Sequence, residues 1–266
     1  MTDSVEDINI TKDIVTDRSI AEEFGIVLEE REGLFNLDQV RFLVYGESGS
    51  GKTVFASTWP DTVFLDIDKG MSSITRKVNR IPINSAMKQT AWESLVRAVN
   101  YLERTDLHDF KTVVVDSLNE MQVIAMDHVI EKFPEVRRPY KNLASQSDYG
   151  KMLDDFDKEV RRLRGLPMHV VFICQVAPQQ YETDVIQPQL VGKHSSRNVA
   201  RMVDVIGYLY KQEGGEGTGD RKKNRVMVFD AVNHVTKDRS DLLPNTIINP
   251  TFGELYAHWQ KQFEQE

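Results

Sequence analysis

RFLVYGESGSGKTVFASTW, residues 41–59, decides how this chain folds. The apolar run Phe42 to Tyr45 reads as a buried strand. GESGSGKT (46–53) follows at once and completes the pattern G-x-x-x-x-G-K-[ST]. VFASTW then reads as the start of a helix. Strand, glycine-rich loop and helix in that order make a phosphate-binding loop. Gly46, Gly49 and Gly51 allow a backbone path and a close approach that side chains would block. Between them Glu47, Ser48 and Ser50 contribute backbone N–H groups that converge on an anion. Lys52 places a point charge on the β/γ oxygens of a nucleotide, and the Thr53 hydroxyl faces magnesium. ATP and Mg²⁺ are therefore the expected ligands.

Outward from that loop, apolar runs alternate with amphipathic stretches, the pattern of an α/β domain built on a mostly parallel sheet. Expected strands are Arg41–Tyr45, Thr62–Ile67, Thr112–Asp116, His169–Cys174, Val203–Lys211 and Arg225–Ala231. Trp92, Leu95, Val96, Val99 and Leu102 fall on one helical face. Tyr149, Met152, Leu153, Phe156, Val160 and Leu163 fall on another. GGEGTGD (214–220) joins two strand-like runs and implies a hairpin with a long tip. Near the end, Thr251 with Glu254 forms a capping pattern ahead of Phe252, Leu255, Tyr256, Trp259 and Phe263, a helix that closes the domain. The expected fold is a three-layer α/β P-loop fold with a C-terminal hairpin and helix.

The 266 residues carry a net charge of −8, and residues 1–39 hold 11 acids against 3 bases. We expect an acidic, partly disordered arm over 1–39 and the ATPase domain over 40–266. The rest of the chain is electrically balanced, so the acidic total does not argue against nucleic acid. The longest apolar run, Val170 to Cys174, is far too short to span a bilayer. The N-terminus has no secretory pattern, and one cysteine cannot form an internal disulfide. A cytoplasmic protein is expected.

TVVVDS (112–117) supplies the second element a P-loop needs, a β-branched strand that ends in Asp116 beside the magnesium. A GTPase would carry an N-K-x-D motif, and none is present. A small-molecule kinase would carry an arginine-rich lid. Arg161, Arg162 and Arg164 instead sit among Asp154, Asp155, Asp157 and Glu159 and read as a solvated face.

Four segments in order, GESGSGKT, VFLDIDKG, VVVDSLNEM and VVFICQV, resemble the core of RecA-type recombinases over roughly residues 40–240. The resemblance implies a RecA-like fold. It also implies a catalytic acid at Asp68, where the family usually has Glu, and a γ-phosphate sensor at Gln175. It places basic residues that reach a neighbour's nucleotide at Lys237 and Arg239 in VTKDRSD. The compact length is more similar to RecA-like ATPases of bacteriophages, some of them single-strand-annealing (Sak-type) or annealing-accessory proteins. YGKMLDDFDKEVRRLRGLPMHVVFICQ and the run VDVIGYL fit that group. Single-stranded DNA, a homo-oligomer and a single-strand-binding protein or annealase are the implied partners. The infected bacterial cytoplasm is the implied setting.

Three basic segments could meet DNA. Arg137, Arg138 and Lys141 surround Tyr140, positive charge beside a stacking ring. The loop after Gln175 carries Tyr181, Lys193, His194 and Arg197. RKKNR (221–225) lies at the hairpin tip. A nucleotide-dependent protein switch without DNA contact and a metabolite kinase remain the competing functions.

Overall fold

A computed structural model describes residues 35–70, 74–86, 89–133, 143–179, 181, 184–192, 194–212 and 224–263. The elements run β1 (Arg41–Gly46), α1 (Lys52–Ala56), β2 (Thr62–Asp66), β3 (Asn79–Pro82), α2 (Ala91–Leu102), β4 (Thr112–Asp116), α3 (Leu118–Lys132), α4 (Gln146–Arg164) and β5 (His169–Gln175). Then come α5 (Ser195–Met202), β6 (Val205–Gln212), β7 (Asn224–Val228), β8 (Lys237–Asp238), β9 (Thr246–Ile248) and α6 (Phe252–Trp259).

Among the described residues one sheet carries nine strands in the order β3-β2-β4-β5-β1-β6-β7-β9, with β8 pairing the start of β6 on the edge that β7 occupies further along. The six strands from β3 to β6 are mutually parallel. β7, β8 and β9 run antiparallel to their neighbours. Alternation sorts the strand side chains onto two faces. Leu43, Tyr45, Val113, Val115, Val170 and Phe172 face one core, with Leu95, Met121, Phe156 and Val199 of α2 to α5. Phe42, Val44, Val114, Val171 and Ile173 face the other, with Phe55 of α1 and Leu255 and Trp259 of α6. Helices on both faces explain why the central strands read as unbroken apolar runs. Phe35 and Leu37 pack on the second core, where the Phe35 ring lies 5.5 Å from Trp259.

The helical stripes fall as read, except that Tyr149 is exposed and that Phe263, also exposed, lies beyond the end of α6. Thr90 makes a full capping box with Glu93 at the start of α2. At α6, the Thr251 side chain accepts from the Glu254 N–H. α1 ends after five residues. Three strands carry no sequence signal. Asn79–Pro82 has no buried residue, β8 has two residues, and β9 buries only Ile247. β6 begins at Val205 and β7 ends at Val228, both shorter at those ends than the apolar runs imply.

His169 opens β5 inside the second core. Its Nδ1 accepts the Val40 N–H at 3.2 Å, and its ring meets Trp59 and Phe252. Burial holds it neutral, with its pKa lowered to about 4; Asp38 opposes the shift and Arg41 adds to it. The unfolded chain takes that proton near pH 6.5. Stability is therefore lost as pH falls from about 6.5 to about 4, by about 3 kcal/mol at the lower end. Urea unfolding of the native chain and of His169→Gln between pH 7 and 4 checks this. The variant should lose that part of the acid sensitivity, and equal slopes would refute it.

Candidate active site

The loop Gly46–Thr53 leaves β1 between β5 and β6, at the carboxyl edge of the parallel strands. Two glycines are required there by contact. A Cβ on Gly46 would lie 2.1 Å from the Leu209 carbonyl oxygen of β6. Gly51 has φ +105, and a Cβ on it would lie 2.2 Å from Arg225 Nε. Within the loop, the Ser50 N–H donates to the Glu47 carbonyl at 3.1 Å. Ser50 Oγ is buried without a hydrogen-bond partner. A buried hydroxyl left unpaired is costly and marks a place where a ligand oxygen can be received.

Lys52 is buried, and its ammonium donates to the carbonyls of Gly46 (2.8 Å) and Glu47 (2.9 Å) and to Gln175 Oε1 (3.3 Å). Burial lowers its pKa, while Asp116 foremost among its charged neighbours works the other way. Gln175 ends β5, so the strand end expected to sense the γ-phosphate does touch the loop lysine. The Gln175 N–H donates to Asn119 Oδ1 at 2.8 Å. Asn119 Nδ2 in turn donates to the Gln189 carbonyl at 2.7 Å, and the Gln189 N–H donates to the Gln175 carbonyl. Asn119 thus pins the strand end and the returning loop together. Motif reading missed it, although DSLNE places it three residues after Asp116.

Thr53 Oγ1 donates to Asp116 Oδ2 at 2.9 Å. Asp116 is buried at the end of β4, and its carboxyl is raised to about 6, by burial first and by the negative charge of Asp68 next among the opposing acids. The Ile67 and Asp68 N–H groups both donate to the Asp116 carbonyl, at 3.0 and 3.1 Å. These bonds hang the exposed Asp68 beside Asp116. Asp66, whose Oδ1 is buried without a partner, adds further negative charge from the end of β2. Burial raises the Glu120 pKa first, and the negative charge of Asp68 adds to it next. A hard cation fits this set. Thr53 and Asp116 provide two adjacent oxygens, enough for an ion that keeps its waters and takes the rest from phosphate. Among the described residues no cage of three or more acidic, His or Cys ligands exists.

Lys237 and Arg239 lie elsewhere. β8 pairs Val205 with Asp238 and Ile206 with Lys237, at the start of β6 and the edge opposite the loop. Lys237 is on a strand rather than beyond the final one, since β9 follows. Its ammonium donates to the Ala200 (3.1 Å) and Val203 (2.6 Å) carbonyls at the end of α5. Arg239 pairs with Asp204 at 3.1 Å and its side chain stays 54% exposed.

Of the expected DNA contacts, Arg137, Arg138, Tyr140, Lys141 and Lys193 lie outside the described residues. Arg197 is exposed on α5. Tyr181 is 70% exposed at a turn closed by its own N–H to Asp184 Oδ2, on the loop that returns to Gln175. Of RKKNR only Asn224 and Arg225 are described, and Arg225 sits on the phosphate loop. The arginines of α4 are engaged as expected of a solvated face. Arg162 bonds Glu103 and Glu159, and Arg161 meets Asp157.

A glycine loop around an orphaned hydroxyl, a buried lysine, and a Thr–Asp pair with a second acid beside it define a P-loop ATPase. A family model described as an AAA domain matches residues 38–240, and the chain belongs to that family. The chain is similar to the solved KaiC-like protein PH0186 from the hyperthermophilic archaeon Pyrococcus horikoshii OT3, with 13% identity and a TM-score of 0.40 over 76% of this chain and 88% of that one. It is also similar to a solved ATPase domain, with 12% identity and a TM-score of 0.42 over 91% of this chain and 95% of that one. No curated protein matches. Among the described residues no helix is long and apolar enough to cross a membrane.

The Asp68 carboxylate is the exposed acid next to the buried Asp116, and the role expected of it, orienting or activating a water, is open to a direct test. Asp68→Asn keeps its shape and loses its basicity. ATP binding should persist while turnover falls by about 10²-fold or more. Single-turnover phosphate release measures it, and normal turnover would show the acid to be structural.

Proposed function

We propose that this ATPase is RecA-like, works as a homo-oligomer and acts on single-stranded DNA, in the manner of the phage annealing or annealing-accessory proteins it resembles. One observation carries the reading: Lys52 bonds Gln175, and the segment that Gln175 opens exposes Tyr181 at its turn. A γ-phosphate that takes the Lys52 ammonium releases Gln175 from it. That exchange is transmitted through Asn119 to a loop with an aromatic ring free to stack a base. Magnesium held by Thr53 and Asp116 would supply positive charge to the phosphates. Lys52 and the loop amides stabilise charge there, Asp68 aligns the water, and Arg239 serves a neighbouring subunit.

The test is ATP hydrolysis with and without single-stranded oligonucleotide, together with oligonucleotide binding at several salt concentrations. DNA should stimulate turnover. Binding should need ATP or an analogue and weaken with salt, and Tyr181→Ala should cost about 1–3 kcal/mol. Slow hydrolysis indifferent to DNA, with no binding at low salt, would favour the protein-switch function. Phosphate appearing on a small molecule would favour the kinase.

A further inference from the structure

β6 and β7 place two cations against the outer side of the phosphate loop, and nothing in the established class accounts for them. Their register pairs Lys211 directly with Arg225. The pair shares the face of Leu209 and Met227, which pair two residues further along and belong to the core under α1. Like charges opposite one another on a sheet are destabilising, so such a pair needs a reason. No acid answers it. Among the described residues neither the Lys211 ammonium nor the Arg225 guanidinium makes a hydrogen bond or an ion pair. Arg225 Nε is moreover buried without a partner. A guanidinium nitrogen without a partner is expensive to bury.

Both side chains stand at loop glycines. A Cβ on Gly51 would lie 2.2 Å from Arg225 Nε, and one on Gly49 would lie 3.7 Å from Lys211 Nζ. The absence of a side chain at Gly51 makes room for Arg225, while Lys211 stands at ordinary contact distance from Gly49. The strand order β4-β5-β1-β6-β7 then divides the site. Asp116 and Gln175, at the γ-phosphate end, stand on β4 and β5, to one side of β1. Lys211 and Arg225 stand on β6 and β7, to the other. A phosphate chain with its γ end at Gln175 and Asp116 brings its α end toward the second pair.

We propose that Arg225 and Lys211 form a cis cation clamp that binds the α-phosphate end of the nucleotide. The clamp rests on the nucleotide-site reading above. It is shared by di- and triphosphates, so it holds the nucleotide without sensing hydrolysis. The phosphate relieves the repulsion between the two cations and supplies the partner that Arg225 Nε lacks.

The experiment is titration of the full chain with ADP·Mg²⁺ and with a slowly hydrolysed ATP analogue. The variants are Arg225→Ala, Lys211→Ala, the double variant, Arg225→Lys and Lys52→Ala. Arg225→Ala should raise the Kd for both nucleotides by about tenfold or more, the scale of a lost hydrogen bond to a charged group. KM for ATP should rise with kcat unchanged, as for an interaction made equally in ground and transition states. Arg225→Lys should recover part of the affinity, and the double variant should show a flatter salt dependence than the native chain. The unfolding midpoints of the variants should not fall, since removing one of two facing cations relieves repulsion. Unchanged Kd in Arg225→Ala and in the double variant, with binding lost in Lys52→Ala, would overturn the clamp alone. A loss confined to the ATP analogue would move Arg225 to the γ-phosphate and overturn it. Tighter binding in Arg225→Ala would show the guanidinium to be a plug and overturn it as well. Native affinity in Lys52→Ala would sink the nucleotide site itself.

Discussion

Lys52→Ala is expected to lower ATP hydrolysis by about 10²-fold or more, the scale of removing a preorganised charge that meets the reacting phosphoryl group. The Lys52 ammonium is buried and held by two loop carbonyls and Gln175. It is thus already aimed at the space the loop encloses. Truncation removes that charge and also strands three acceptors, so ATP affinity should fall together with turnover. Phosphate release and nucleotide titration, with a melting curve to confirm folding, measure the two losses. Near-normal turnover by the folded variant would refute the P-loop assignment.

Arg239→Ala should cost more, about 10³ to 10⁵ in turnover, the range for a trans arginine in well-studied NTPases. The argument is geometric. β1 pairs Phe42 with Val205, and β8 pairs Asp238 with Val205, so Arg239 leaves the sheet level with the beginning of β1. The phosphate loop follows Gly46, four residues on, about 13 Å along the strand. In cis the guanidinium rests on Asp204, half exposed, at the strand ends opposite the loop. Lys237 is committed to the end of α5, which leaves Arg239 as the candidate for the proposed reach across an interface. ATP binding by the isolated subunit should be intact. Mixing Arg239→Ala with Lys52→Ala should restore partial activity, since one supplies the finger and the other the intact loop. A mixture as inactive as its parts, with assembly confirmed, would exclude action in trans.

The parts of the site legible in the sequence are those written in contiguous residues. The loop is one octapeptide, and Asp116 and Gln175 end apolar strands whose neighbours are buried on both faces. The parallel core was legible for the same reason. Asn119, Lys211 and Arg225 act through contacts that close across the fold: Asn119 meets a residue 56 positions away, and Arg225 reaches Gly51 across most of the domain. No local pattern announces such contacts, and a basic run at a hairpin reads more readily as a nucleic-acid patch. β3, β8 and β9 escaped because short strands with few buried residues carry no periodic signal. Tyr149 was misread because helical spacing marks a face without marking its width.

The two carbonyl bonds of Lys52 have a thermodynamic corollary. An ammonium tethered to Gly46 and Glu47 has surrendered its rotamer freedom before any ligand arrives. Nucleotide capture then exchanges neutral acceptors for charged ones and need not immobilise that flexible side chain. Such an exchange would register in calorimetry as heat released with little entropic penalty from the lysine.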